Sequence, residues 1–190
     1  MNKLPIYNIV LGEADGIQIM SLVDCPAVEV DFLKFEKEEH KLSFSVDEEQ
    51  HIVFGCALRA DYPIYRYSER LGEYYVVFSK ETIKQLYEKF MIEGPSKVNL
   101  NHTNMTEGVT LIQSFIKDTE KGISPVGFED CADGSWFCSY KINNEDVWNG
   151  VKNGEFNGFS VEGTFELTPA QFEKQEKVGE FDELIDSLLK

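Results

Sequence analysis

Few residues in this chain are suited to chemistry. A hydroxyl and a carboxylate stand two apart in GFSVEG (158–163), as Ser160 and Glu162. A serine hydroxyl is a weak nucleophile until a base takes its proton, and histidine is the side chain that titrates near neutrality. The chain has three histidines. His40 lies in the acidic run EKEEHK (36–41) and His51 follows Glu48, Glu49 and Gln50, so both read as solvated surface residues. His102 ends the run KVNLNH (97–102) and begins a polar loop, where a working side chain can stand on a rigid base. By residue type alone the plainer readings stand beside these: His102 as a turn-flanking polar residue, Ser160 as a strand serine.

The local pattern does not decide between them. Gly158 and Gly163 are not two residues either side of Ser160, so this is not a G-x-S-x-G elbow. The two glycines either let a peptide backbone come close and expose amides to an oxyanion, or mark bulges in a curved strand. Neither glycine-rich phosphate-binding pattern occurs, and EDCADG (129–134) lacks calcium-loop spacing. Cys25, Cys56, Cys131 and Cys138 are scattered with no C-x-x-C, which argues against zinc and for reduced, buried thiols. Acyl transfer through serine and histidine, a chemistry that needs no metal or organic cofactor, is permitted by these residues and not demanded.

The charge balance narrows the partners. With 34 acidic against 18 basic residues the net charge is −16, a surface that repels a phosphate backbone and argues against nucleic acid. No apolar run approaches the roughly 20 residues of a membrane span. MNKLPIYNIV lacks the apolar core and cleavage site of a secretion signal, so a cytoplasmic setting is expected.

Positioning such residues falls mainly to strands. Apolar or alternating runs at 5–12, 16–23, 28–35, 51–58, 62–67, 73–79, 97–102, 108–116, 135–142 and 156–167 read as β-structure, with a turn at Asp133-Gly134. One helix is clear. Ser79 can cap it, Gly94-Pro95 stops it, and Ile83, Leu86, Tyr87, Phe90 and Met91 recur at helical spacing. A short helix is predicted over 143–154. Thr168-Pro169 is predicted to open another, with an apolar seam of Phe181, Leu184, Ile185 and Leu188 in the charged tail. The expectation is an α+β, β-rich domain over 1–167, built as a closed or half-closed barrel with helices around it, and a charged helical C-terminal tail over 168–190.

Several ordered blocks go further. GIQIMSLVDCPAVEVDFLKF (16–35), IVFGCALRADYPIYRY (52–67), YYVVFSKETI (74–83), VNLNH (98–102), GVTLIQSFI (108–116) and DGSWFCSYKINNEDVWNGVKNGEFNGFSVEG (133–163) together resemble the XkdF-like phage serine proteases, a branch of the prohead (capsid maturation) proteases. The resemblance implies a fold like that of the herpesvirus assemblins, a β-barrel ringed by helices. It implies a serine endopeptidase that cleaves scaffold, capsid-protein extensions and itself inside the prohead, in the host cytoplasm. The partners implied are the major capsid and scaffold proteins, with room for a homo-oligomer of two or more copies. Carried over block by block, His102 becomes the general base and Ser160 the nucleophile. A period of two puts Glu162 on the face of Ser160, so Glu162 is the candidate third member. The resemblance also places acids at 113 and after the histidine, where Gln113 and Thr103 stand here; an amide can hold an imidazole but cannot stabilise its cation. The alternative is a protease fold that no longer cuts and serves the capsid as a structural part.

Overall fold

A computed structural model describes residues 4–12, 15–24, 45–94 and 98–169. Among these residues the chain forms β1 (Ile6–Val10), β2 (Gly16–Val23), β3 (Ser45–Asp47), β4 (Ile52–Leu58), β5 (Ile64–Ser68), β6 (Gly72–Val77), α1 (Lys80–Glu93), β7 (Val98–Leu100), β8 (Asn104–Thr106), β9 (Val109–Ile116), β10 (Trp136–Ile142), α2 (Glu145–Lys152), β11 (Gly158–Thr164) and β12 (Glu166–Pro169). The expected strand over 28–35, His40, Cys25 and the C-terminal seam lie outside the described residues.

The strands form three four-stranded sheets, ordered β12-β1-β6-β5, β3-β4-β10-β9 and β11-β2-β7-β8. The first and third are mixed, through the parallel pairs β1/β6 and β2/β7; the second is antiparallel throughout. The β-rich expectation holds; among the described residues the strands lie in open sheets and close no ring, and two α-helices are present.

The core explains where the helices sit. α1 buries Ile83, Leu86 and Phe90 and packs on β2 and β10, where Phe90 meets the Trp136 ring at a centroid distance of 5.2 Å. Ser79 caps α1 as predicted, accepting a hydrogen bond from the Thr82 amide, an arrangement that stabilises a helix by about 1 kcal/mol. Gly94 ends it at φ 88°, a value most side chains resist. Asn144 caps α2, accepting from the amides of Asp146 and Val147. Behind the third sheet, Phe159, Met20 and Leu22 are sealed in the core, and Phe159 packs on Tyr140 of the second sheet.

β7 joins the third sheet and β9 the second, with β8 between them in the chain. Two expectations of local structure change. The run 156–167 is two strands, because β12 leaves the third sheet to pair antiparallel with β1. Thr168 and Pro169 belong to β12, opposite Asn8 and Tyr7, and do not open a helix. Pro169 has no amide to give, and an edge strand is where a sheet tolerates that. Cys56, Cys131 and Cys138 are buried free thiols, and burial pushes Cys138 up to about 12, far from a nucleophilic thiolate.

Candidate active site

The third sheet brings the candidate residues together. Ser160 on β11 lies opposite Ser21 on β2, and Ser21 lies beside Asn99 on β7. Register partners share a face, so the three polar side chains form one row across three strands. Their sequence neighbours alternate to the other face, where Phe159, Met20, Leu22 and Val98 are buried. Glu162, two residues beyond Ser160, rises from the same face as the row.

His102 reaches this row from the turn after β7. Asn101 and His102 both have left-handed backbones, at φ 46° and 56°. Such conformations cost a non-glycine residue roughly 1–3 kcal/mol and persist where the surroundings impose them. Here the Asn101 amide donates to the Leu22 carbonyl, the Asn101 side chain accepts from the Asp24 amide, and Thr103 donates from both its amide and its hydroxyl to the Leu100 carbonyl. The chain is thereby folded back sharply, and the imidazole lies over the sheet.

Three groups meet at one oxygen. Glu162 Oε1 accepts from Ser21 Oγ at 2.9 Å and from Asn99 Nδ2 at 2.5 Å, and lies 2.8 Å from His102 Nδ1. Ser21 Oγ is also 3.1 Å from His102 Nδ1. Burial pushes the Glu162 carboxyl up. The hydrogen bonds from Asn99, His102 and Ser21 outweigh it and hold the group below the ordinary carboxylate range. An ionised Glu162 requires a proton on Nδ1, because two lone pairs at 2.8 Å would repel. The tautomer with Nδ1–H leaves Nε2 as the acceptor, which is the form a general base needs.

Ser160 itself is 3% exposed, and its hydroxyl makes no hydrogen bond among the described residues, His102 included. The sealed polar atoms without a partner among these residues are Asn99 Oδ1 and the Tyr140 hydroxyl. Ser21 and Glu162 are the groups that touch the imidazole, and Ser160 faces Ser21 across the strands without bonding to it. Cross-strand Cβ atoms lie about 4.5–5.5 Å apart, so Ser160 stands one side chain from the hydroxyl that touches the ring.

The other expected residues fall as follows. Gly158 is buried opposite Val23. Gly163 stands at a register shift, where Glu162 pairs with Ile19 and Gly163 with Ile17; a Cβ on Gly163 would lie 2.2 Å from the Gly16 carbonyl oxygen. It thus has the bulge role that the sequence left open. Gln113 is not at the site: on β9 in the second sheet, its carbonyl oxygen accepts from Ser139. The acid beside the ring is Glu162. His51 is half-buried and stacked on Trp148 at 4.3 Å, a packing residue and not the solvated one expected. Among the described residues no group of three His, Cys, Asp or Glu side chains could hold a metal ion.

Ser21 and Asn99 escaped the sequence reading. The signal for them is a polar residue inside an apolar strand, Ser21 in IMSLV and Asn99 in VNL.

A hydroxyl, an imidazole and a carboxylate on one sheet face are the parts of a serine hydrolase site. The comparison with protein families agrees in class: residues 39–168 match the model of the family described as "Putative phage serine protease XkdF", and the chain belongs to that family. No curated protein and no solved structure matches the chain.

Proposed function

We propose that the protein is a serine endopeptidase of phage capsid maturation, with Ser160 as nucleophile, His102 as general base and Glu162 as the acid that orients and charges the base. The observation that carries this reading is the 2.8 Å contact of Glu162 Oε1 with His102 Nδ1, beside a serine two residues upstream on the same face. Family membership supplies the peptidase class.

The chemistry follows from the tautomer. His102 Nε2 takes the Ser160 proton as Oγ attacks the carbonyl carbon of a peptide bond. The imidazolium is then stabilised by the Glu162 carboxylate. Collapse of the tetrahedral intermediate breaks the C–N bond, and Nε2 returns the proton to the leaving amine. Water, deprotonated by the same nitrogen, hydrolyses the Ser160 ester and restores the site. The closing of Ser160 on Nε2 belongs to the substrate complex, since catalytic hydrogen bonds are often long before substrate binds. The substrates proposed are scaffold protein, capsid-protein extensions and the protease itself, inside the prohead; the acidic surface suits a protein kept soluble among densely packed partners.

Co-expression with the major capsid and scaffold proteins of the same phage, read by intact mass, tests this. Defined truncations should appear with the wild type and vanish with Ser160→Ala, which removes one oxygen and leaves the fold intact. Identical masses with both would contradict the enzyme and favour a structural part of the capsid.

A further inference from the structure

We infer that Ser21 and Asn99 are positioning residues: together they clamp the Glu162 carboxylate so that it accepts a hydrogen bond from the Nδ1–H of His102 and leaves Nε2 free for Ser160. This rests on the peptidase reading above and adds two residues to its machinery.

Three observations carry it. Both residues are buried, Ser21 at 0% and Asn99 at 3% exposed, in strands whose other neighbours are apolar. A polar group in such a place is costly unless paired, and each of these spends its donor on the same oxygen, Glu162 Oε1. Next, Asn99 makes that bond while its own Oδ1 stays buried with no partner among the described residues. A residue placed for stability alone would satisfy both ends of its amide; here the carboxylate dictates the orientation. Finally, Ser21 has one proton and gives it to the carboxylate, so its lone pairs face Nδ1 at 3.1 Å. That arrangement accepts from Nδ1–H and disfavours the opposite tautomer. With three donors on one oxygen, neither the carboxylate nor the ring is free to turn.

The test uses the full chain, labelled with nitrogen-15, and diisopropyl fluorophosphate as the probe. In the labelling reaction Ser160 Oγ bonds to phosphorus, fluoride leaves, and the hydroxyl proton passes to His102. The wild type should label at Ser160, and the His102 ring should give imidazole nitrogen shifts of a single Nδ1–H tautomer, assigned by their loss in His102→Ala. Ser21→Ala and Asn99→Ala should each slow labelling about tenfold, a part of the 10²–10⁴-fold that a well-placed base supplies. The double variant should show a mixed tautomer. Ser21→Thr, which keeps the hydroxyl, should restore both the rate and the single tautomer. A merely structural role would lower the unfolding midpoint without moving the tautomer. An unchanged tautomer and rate in Ser21→Ala would overturn the positioning role and leave the peptidase standing. A wild type that never labels, yet has the single tautomer, would overturn the peptidase reading instead.

Discussion

At the scale of single residues, the site turns on how Glu162 stays ionised. Its carboxyl is held below the usual range although burial works against it, because Asn99, His102 and Ser21 all bond to it. A depressed carboxyl contributes stability that is present above its unfolded value of about 4.3 and is lost as pH falls through the folded value. Glu162→Gln should therefore be less stable than the wild type at neutral pH, and the gap should close on acidification below about pH 4. Urea titrations at several pH values would show it; a constant gap would mean that the carboxylate is not stabilised by its neighbours. In catalysis the same change keeps an acceptor for Nδ1–H but removes the charge opposite the imidazolium, so cleavage should fall by about 10²–10⁴-fold. Of these residues, Ser160 and His102 were legible from type and from the ordered blocks around them, and Glu162 from the two-residue period of a strand. Ser21 and Asn99 were not, because their partners are 141 and 63 residues away in the chain, and only strand register brings them together.

At the scale of elements, β11 and β2 shift register by one residue just past the acid, between Glu162 and Gly163. Gly163 faces the Gly16 carbonyl so closely that a methyl group would collide with backbone. A glycine-to-alanine change in compatible backbone usually stabilises by trimming unfolded-state entropy. Gly163→Ala should do the reverse and cost about 1–3 kcal/mol, the range for forcing atoms into a filled space. An unchanged or raised denaturation midpoint would show that β2 and β11 can part freely there. The elements most legible in the sequence were those with local signals: α1, with Ser79 before it and Gly94 after it, and α2 with its asparagine cap. The break between β11 and β12 was not legible, since the apolar alternation runs straight through Phe165. What separates the two strands is the partner each finds, β2 for one and β1 for the other. The Thr168-Pro169 helix signal lost to that same pairing, a tertiary contact overriding a local preference.

At the scale of the whole molecule, the pattern of strands predicted a β-rich chain but not how the strands are grouped. Alternation says which face of a strand is buried, not which strand lies beside it, so a barrel and three open sheets read alike. The site depends on that grouping: β2, β7 and β11 lie far apart in the chain, and their register builds the row from Ser160 to Asn99. The net charge acts at this scale too. With −16 on a chain of 190 residues, like charges repel in the compact state, and added salt screens them. The thermal midpoint should rise between about 10 mM and 150 mM salt, where the Debye length shrinks from about 30 to 8 Å. A falling midpoint would mean that specific ion pairs, and not overall repulsion, dominate the surface.

The most direct measurement of the central claim is peptide mapping after reaction with diisopropyl fluorophosphate. Modification should fall on Ser160 and no other serine, should be lost in His102→Ala, and should slow sharply in Glu162→Gln. Modification of Ser21 in its place, or labelling of Ser160 that persists without His102, would contradict the assignment of nucleophile and base.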